Sequence, residues 1–197
     1  MRNEYTFDDK AEKRRTLIEL RKTVADKPAL ANIAAHKAAD IVSGNVMVYI
    51  AIGAEMPTDS LIKLLLSKSG VTLYAPYTKY GIITPRKLAL SYLSDLSLAP
   101  DINGNLPENC YAQAETDERV KLDYCITPLV GFNNNGYRIG YGKGCYDRFF
   151  ERNSVYKIGF AFDVQRINFE PSPNDVPLDC CVTEKKVIYF RYAGNCG

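Results

Sequence analysis

The chain has 197 residues, of which 46% are hydrophobic and 24% are charged, and its formal net charge is +2. This composition is ordinary for a soluble globular protein, and the small net charge excludes a broad basic surface for nucleic acid or anionic membranes. An anionic partner would therefore have to meet a local cluster of lysines and arginines.

Length and hydropathy indicate the number of domains and the cellular compartment of the protein. The longest uninterrupted apolar run covers residues 46–52, far short of the roughly 20 residues that a membrane-spanning helix needs. No apolar stretch follows the charged N-terminal residues, so the sequence shows no signal peptide. We expect a cytoplasmic protein with a single domain over residues 1–197.

The N-terminal region predicts a helix with a basic face. Residues 9–24 are dominated by Ala, Leu, Glu, Arg and Lys, which favour helix. Lys10, Arg14 and Arg21 recur at intervals of four and then seven positions, so they share one side of this helix. That side is either a solvated charged surface or a surface that meets a ligand.

A second predicted helix leads into a buried strand. The helix begins at Pro28 and ends at Gly44, and residues 46–52 form a continuous apolar and β-branched run. Such a run is typical of a strand buried on both faces of a parallel sheet. Glu55 follows the carboxyl end of this strand, where open α/β sheets bind ligands. Thr58 or Asp59 is a better candidate than Glu55 for capping the next helix, which leaves Glu55 as a site candidate.

The rest of the chain alternates short strands with loops. Gln165 and Arg166 are predicted to be exposed, and the polar residues 95–118 predict a long surface loop. Further strands are predicted at residues 71–75, stopped by Pro76, within 82–92, and at 120–127, 156–162, 180–183 and 187–192. The pattern predicts the α/β class, as a single three-layer domain with a mostly parallel central sheet flanked by helices.

Cysteine and histidine are poorly arranged for metal binding or nucleophilic catalysis. The chain has six cysteines and one histidine, His36, and no two cysteines form a C-x-x-C pair. A structural zinc site or a Cys-His catalytic pair is therefore poorly supplied. We expect free thiols in a reducing compartment.

Residues 136–150 contain the strongest candidate for a binding loop. Four glycines fall within nine positions, Arg138 and Lys143 are interleaved with them, and a helix-like segment follows. Glycines let backbone N–H groups converge on an anion, and the N-terminus of a following helix adds unpaired donors. The loop lacks the spacing of a Walker loop and the acidic partner of a dinucleotide fingerprint. On pattern alone it is either an anion site or a sharp turn.

The residues around this loop form a more specific signature. Its positions are Asp123, Pro128, Gly131, Phe132, Gly136, Arg138, residues 140–144, Tyr146, Asp147 and Arg148. Further matching positions are Lys10, Arg14, Tyr49, Glu55, Thr58, Gln165, Asp175, Val176 and Asp179. In order and spacing, these residues closely resemble 5-formyltetrahydrofolate cyclo-ligases, also called methenyltetrahydrofolate synthetases, over nearly the whole chain.

The resemblance implies an ATP-dependent ring closure. In this family the formyl oxygen of 5-formyltetrahydrofolate attacks the γ-phosphate of ATP, and N10 then attacks the activated carbon as phosphate leaves. The implied co-substrate is ATP, the implied cofactor is Mg²⁺, and the implied partners are small molecules, with no nucleic acid and no membrane. The substrate supplies both nucleophiles, so the protein mainly aligns the reactants and neutralises charge. We expect a monomer or a weak homodimer.

The resemblance also implies roles for individual residues. The implied catalytic residues are Lys143, Arg138 and Arg148, of which Lys143 would bridge the transferred and leaving oxygens. The implied ATP-binding residues are Lys10, Arg14, Arg138, Ile139, Gly140, Tyr141, Gly142, Lys143, Gly144, Cys145 and Tyr146. The implied substrate-binding residues are Ile50, Glu55, Tyr141 and Cys145, and the implied metal-binding acids are Asp147 and Asp175. For Asp147, a charge that favours the helix N-terminus is the alternative role.

Two departures from the family pattern bear on the folate rather than on ATP. Cys145 stands where tyrosine is common, and residues 104–108 replace the usual segment before the third block of matches. Two other functions remain compatible with the residues: a non-catalytic nucleotide- or folate-binding module, and a small-molecule kinase that uses the same loop.

Overall fold

The computed structural model describes residues 6–89, 100–112 and 120–190 of the protein, with side chains from Lys10 onward. Its helices are α1 (Thr6–Lys22), α2 (Lys27–Ile41), α3 (Asp59–Ser67) and α4 (Cys145–Arg152). Its strands are β1 (Gly44–Val48), β2 (Val71–Lys79), β3 (Ile82–Lys87), β4 (Tyr124–Thr127), β5 (Gly131–Phe132), β6 (Arg138–Ile139), β7 (Tyr156–Phe160), β8 (Cys180–Val182) and β9 (Val187–Tyr189). None of the helices within these ranges is long and apolar enough to cross a membrane.

Seven of the described strands form one sheet, in the order β3-β2-β1-β4-β7-β8-β9. β1 pairs in parallel with β2 and β4, and β7 pairs in parallel with β4 and β8. The outermost strands β3 and β9 are antiparallel to their neighbours. β5 and β6 form a separate antiparallel hairpin. The prediction of an α/β fold with a mostly parallel sheet is therefore confirmed.

Helices cover the sheet on both faces because its central strands are apolar on both sides. Val46 and Val48 of β1 belong to a core cluster that includes residues of α2 and α3. Met47, which points the opposite way along the strand, packs in a second cluster with Phe149 and Phe150 of α4. This alternation produces the predicted three layers.

Helix α1 packs against the β5–β6 hairpin. Leu17 of α1 is 2% exposed and packs with Val130, Ile139 and Phe169. The helix is therefore held against the hairpin from which the glycine loop emerges. This contact decides which face of α1 is turned towards the loop.

The prediction that Pro76 stops the second strand is wrong, because β2 continues to Lys79. Pro76 lies opposite Pro85 in the β2–β3 pair. The Leu88 N–H donates to the Leu73 carbonyl oxygen at 3.0 Å, and hydrogen-bonded pairs recur at every second position from there. The two prolines consequently occupy a pair that needs no N–H, so neither interrupts the ladder.

The predicted strand at residues 46–52 is shorter than expected. Pairing as a strand ends at Val48, although Tyr49 and Ile50 remain buried. The chain then turns, and the Glu55 N–H donates to the Ile52 carbonyl oxygen at 3.1 Å. The apolar run therefore continues into the turn that positions Glu55.

The predicted surface loop at residues 95–118 is partly wrong. In its described portion, Leu106, Cys110 and Tyr111 are buried in the same core cluster as β1. These three apolar residues were missed because the segment around them is mostly polar. Residues 95–99 and 113–118 of this prediction lie outside the described residues.

The prediction that Gln165 is exposed is wrong, since it is 1% exposed. Its side-chain amide donates to the carbonyl oxygens of Leu129 and Val130, at 2.8 and 3.0 Å, and accepts the Phe162 N–H at 2.9 Å. Gln165 thus satisfies the buried backbone that enters the β5–β6 hairpin. Arg166 is exposed, as predicted.

The prediction of free thiols is confirmed for four of the described cysteines. Cys125, Cys145, Cys180 and Cys181 are free thiols. Burial raises the pKa of Cys180 to about 12, so this thiol stays protonated at neutral pH. Cys196 lies outside the described residues.

Gly136→Ala is expected to lower the free energy of unfolding by about 2–5 kcal/mol. Gly136 has a φ of 83°, where a Cβ costs about 1–2 kcal/mol. That Cβ would also lie 2.8 Å from Phe190 Cγ and 2.9 Å from the Leu178 carbonyl oxygen, and such overpacking costs about 1–3 kcal/mol. Urea unfolding of both proteins measures the difference.

Gly70→Ala is the matched control for this prediction. Its φ is 76°, but a Cβ there meets nothing within 4 Å, so we expect only the backbone cost. Equal losses in the two variants would contradict the steric role of Gly136.

Candidate active site

The candidate active site lies at the carboxyl ends of β1 and β4. The described parallel strands follow the order β2-β1-β4-β7-β8, so the winding of the sheet reverses between β1 and β4. Doubly wound sheets form their ligand crevice at such a reversal. Glu55 follows β1, and the glycine loop follows β4 by way of the β5–β6 hairpin. The topology therefore brings both predicted parts of the site to one edge of the sheet.

The glycine loop joins β6 to α4 and is largely exposed. Tyr141, Gly142 and Lys143 are its exposed residues. Gly142 has a φ of 92° and Gly144, at the N-cap of α4, has a φ of 62°, which residues with a Cβ rarely adopt. The backbone of the loop therefore leads directly into the N-terminus of α4, which is the local structure that a phosphate site needs.

Two cations of α1 contact the loop and the segment beside it. Arg14 Nε donates to the Gly140 carbonyl oxygen at 2.7 Å. Lys10 Nζ donates to Ser172 Oγ at 2.9 Å and forms an ion pair with Asp175. The predicted basic face of α1 is therefore turned towards the loop, not only towards solvent.

Asp147 and Asp175, the predicted metal ligands, lie on adjacent segments. Asp147 Oδ1 accepts the Val176 N–H at 3.1 Å and forms an ion pair with Arg138 at 2.9 Å. Asp175 Oδ2 accepts the Ser172 N–H at 2.7 Å. Their side chains are 25% and 20% exposed. Both carboxylates are thus accessible in part, and each has a cationic partner.

The two carboxylates fit Mg²⁺ only together with ligands from elsewhere. Over the described ranges, no group of three or more His, Cys, Asp or Glu side chains could hold a metal ion. Mg²⁺ is usually bound by one or two carboxylates together with phosphate oxygens and waters. The donor set therefore fits Mg²⁺ that arrives with a nucleotide, and it does not fit an ion held by the protein alone.

Arg138 and Ile139 of β6 are buried beneath the loop. The Arg138 side chain is 4% exposed, donates to the Val176 carbonyl oxygen at 2.8 Å and lies 5.0 Å from the centre of the Phe150 ring. Together with its ion pair to Asp147, these contacts fix the position of the Arg138 side chain, and Arg138 in turn orients the Asp147 carboxylate. Ile139 is 2% exposed, so a ligand could contact little more than its backbone.

Lys143 and Arg148 are the exposed cations of this region. Arg148 Nη2 donates to the Gly81 carbonyl oxygen in the β2–β3 turn, at 3.0 Å, and lies 3.8 Å from Cys145 Sγ. Cys145 is half-buried, and its sulfur lies 3.9 Å from the Lys143 carbonyl oxygen. Arg148 is therefore tied to a neighbouring turn, whereas Lys143 is exposed on the loop itself.

Glu55 provides a buried carboxylate on the other side of the site. It is 5% exposed, and its Oε2 accepts the Ile52 N–H at 2.9 Å. Burial raises the pKa of Glu55, while the Ile52 hydrogen bond, the Arg21 charge and the Tyr141 hydroxyl lower it. Ile50, the other predicted folate contact, is 7% exposed in the same turn region. A carboxylate in this position can accept N–H donors from a ligand.

Arg21 is a site candidate whose role the sequence did not reveal. The spacing placed it on the same face of α1 as Lys10 and Arg14, but the solvated-surface interpretation is wrong for Arg21, which is 2% exposed. It donates to the Leu129 carbonyl oxygen at 3.1 Å and to the Tyr141 hydroxyl at 2.5 Å. The helical spacing was the available signal, but it could not show which part of the face is buried.

Comparisons with known proteins identify relatives of this chain. The sequence pattern of the 5-formyltetrahydrofolate cyclo-ligase family matches residues 7–184. A probable 5-formyltetrahydrofolate cyclo-ligase from Caenorhabditis elegans is 32% identical over 167 residues, which cover 75% of this chain and 76% of that protein. The 5-formyltetrahydrofolate cyclo-ligase of Escherichia coli K12 is 30% identical over 151 residues, covering 75% and 81%. The solved structure of Aquifex aeolicus 5,10-methenyltetrahydrofolate synthetase has a similar fold, with a TM-score of 0.74, 24% identity and coverage of 95% and 96%.

Proposed function

The chain belongs to the 5-formyltetrahydrofolate cyclo-ligase family, and we propose that it converts 5-formyltetrahydrofolate and ATP to 5,10-methenyltetrahydrofolate, ADP and phosphate, with Mg²⁺. One observation carries this proposal: the glycine loop, the α1 cations and the buried Glu55 converge where the sheet winding reverses. A proposed anion-binding side and a carboxylate side would therefore adjoin at this edge of the sheet, as a reaction between ATP and a folate requires.

The loop side is proposed to bind the triphosphate of ATP. Lys10 and Arg14 contribute positive charge from α1, and the backbone of residues 140–144 contributes N–H donors at the start of α4. Arg138, which is buried, orients the Asp147 carboxylate through their ion pair. Lys143, exposed on the loop, is the group that can follow the phosphoryl group as it is transferred.

The opposite side is proposed to bind the folate. The Glu55 carboxylate would accept N–H donors of the amino-pyrimidine ring, a pair of hydrogen bonds that fits a planar carboxylate. Ile50 provides apolar surface beside it, and Tyr141 and Cys145 approach from the loop. This assignment puts the reacting formyl group between Glu55 and the phosphates.

The proposed chemistry needs no protein nucleophile. The formyl oxygen attacks the γ-phosphorus, the bond from that phosphorus to the ADP oxygen breaks, and an N5-iminium phosphate forms. The N10 lone pair then attacks the formyl carbon, the C–O bond breaks as phosphate leaves, and the N10 proton passes to solvent. Both steps develop negative charge on phosphoryl oxygens, which Lys10, Arg14 and Lys143 would stabilise.

Asp147 and Asp175 would hold Mg²⁺ beside the phosphates, where the ion would neutralise charge on the transferred group. Their present partners, Arg138 and Lys10, are cations that the same phosphates would attract. Binding of the Mg-nucleotide is therefore expected to rearrange the Lys10–Asp175 ion pair.

Asp175→Asn is expected to raise the Mg²⁺ concentration for half-maximal activity by at least about tenfold, because loss of a carboxylate weakens a hard-ion site. Titration of activity with MgCl₂ at saturating ATP measures this change. Asp179→Asn is the matched control, since Asp179 lies in the same segment but pairs with Lys157 at 2.9 Å. An unchanged Mg²⁺ requirement in Asp175→Asn would remove this residue from the metal site.

Incubation of the pure protein with 5-formyltetrahydrofolate and Mg-ATP tests the proposed function as a whole. We expect the absorbance of the methenyl product to rise, in step with release of ADP and phosphate, and only when ATP is present. An unchanged absorbance, with ATP still bound by the protein, would contradict the proposal. A phosphorylated folate as the final product would indicate a kinase instead.

A further inference from the structure

Arg21 occupies an unusual position between the two sides of the site. It lies in the last turn of α1 and is among the largest fully buried side chains of the described chain. Nη1 donates to the Leu129 carbonyl oxygen and Nη2 to the Tyr141 hydroxyl. Nε has no hydrogen-bond partner among the described residues. Burying a guanidinium lowers the stability of the folded protein unless other groups compensate its charge. The burial of Arg21 therefore indicates a role beyond these two contacts with neutral groups.

Glu55 is a carboxylate on which the Arg21 charge acts. Arg21 lowers the pKa of this carboxyl group through its charge, against the larger effect of burial. Tyr141 links the two residues, because its hydroxyl accepts from Arg21 and also interacts with Glu55. Arg21, Tyr141 and Glu55 therefore form a polar group that joins α1, the loop and the turn after β1, in which Arg21 and Glu55 are buried and Tyr141 is 46% exposed.

We propose that Arg21 is a positioning residue for the folate: through its charge and through Tyr141, it keeps Glu55 as an oriented carboxylate that can accept the N–H donors of the ring. This inference rests on the proposed function, because it takes Glu55 as the residue that binds the folate. Arg21 does not itself contact the reacting atoms. Its effect should consequently be specific to the folate and should depend on pH.

The other groups that face Glu55 are tyrosines. They are Tyr49 from the turn after β1, Tyr141 from the loop and Tyr146 from α4, and burial raises the pKa of each above its ordinary value. All three stay neutral where a carboxyl group titrates. Arg21 is therefore the charged group, among those acting on Glu55 in the described structure, whose removal Glu55 would sense.

The test is the pH profile of kcat/KM for 5-formyltetrahydrofolate in Arg21→Met and Arg21→Lys. Glu55 is active when ionised, and losing the Arg21 charge raises its pKa, so the acidic limb should move to higher pH in Arg21→Met. A shift of one unit lowers kcat/KM about tenfold below the limb. Arg21→Lys keeps the positive charge, so its acidic limb should lie close to that of the wild type. We expect kcat/KM for ATP to change little in either variant.

Tyr141→Phe tests the same link without removing a large buried side chain. We expect a smaller shift of the acidic limb in the same direction. Thermal unfolding shows whether each variant is folded, and if Arg21→Met is not, the Arg21→Lys and Tyr141→Phe profiles decide. Equal losses of kcat/KM for folate and ATP, with the limb unmoved, would mean that Arg21 is only structural and would overturn the inference.

Glu55→Gln separates the failure of this inference from failure of the proposed site. If Glu55→Gln abolishes the acidic limb while the Arg21 and Tyr141 variants leave it in place, the folate assignment stands and the inference about Arg21 fails. If Glu55→Gln leaves both the limb and the folate KM unchanged, the assignment of Glu55 to the folate fails, and the inference fails with it.

Discussion

Replacing Lys143 with alanine is expected to lower kcat at least tenfold, which corresponds to about 1.4 kcal/mol of transition-state stabilisation. Lys143 is exposed on the loop between Gly142 and Gly144. Both glycines have positive φ values, and the backbone makes a tight turn there. Lys143 can therefore follow the phosphoryl group, whereas Arg14 and Arg138 are held by hydrogen bonds to Gly140 and Asp147. Steady-state kinetics at saturating ATP, 5-formyltetrahydrofolate and Mg²⁺ measure the loss.

Lys63→Ala is the matched control for Lys143→Ala. Lys63 is an exposed lysine on α3, outside the candidate site, and we expect its removal to leave kcat unchanged. A wild-type kcat in Lys143→Ala would remove this lysine from the mechanism. A raised KM for ATP with normal kcat would restrict Lys143 to ground-state binding.

Glu55→Gln is expected to raise the KM for 5-formyltetrahydrofolate about ten- to a hundredfold and to leave the KM for ATP nearly unchanged. The substitution keeps the size of the side chain but removes a charged acceptor, and hydrogen bonds to charged groups contribute about 1.5–3 kcal/mol. The amide also places an N–H where the carboxylate accepted one. Initial rates with each substrate varied in turn measure the two constants.

Glu151→Gln provides the control for this substitution. Glu151 is exposed on α4, so the same change of charge is made without removing a buried carboxylate. We expect both KM values to stay close to those of the wild type. If Glu55→Gln instead weakened only ATP, the two halves of the site would be assigned the wrong way round.

The sequence predicted those parts of the fold that depend on local pattern. The apolar run before Glu55 and the alternation of strands and helices were sufficient to predict a mostly parallel sheet with three layers. Pro76 was misjudged because its effect depends on the partner strand, where Pro85 stands opposite and no N–H is needed. Gln165 was misjudged because a polar side chain becomes a core residue only when buried carbonyl oxygens surround it.

The candidate site was predictable from sequence as a set of residues but not as a network. Helical spacing put Arg21 in line with Lys10 and Arg14, yet only the packing of α1 on the β5–β6 hairpin shows that Arg21 is buried. Its contacts with Leu129 and Tyr141 span more than a hundred positions along the chain. No local pattern encodes such contacts, and they are what connects the loop to Glu55.

Transfer of oxygen from the formyl group to phosphate is the step that distinguishes the proposed reaction from hydrolysis of ATP. Substrate labelled with ¹⁸O in the formyl oxygen is converted by the enzyme with unlabelled Mg-ATP, and the released phosphate is analysed by mass spectrometry. A parallel reaction of unlabelled substrate in H₂¹⁸O corrects for exchange with solvent. We expect each phosphate released to carry the formyl oxygen. Phosphate that carries oxygen from water instead would contradict attack of the formyl oxygen on ATP.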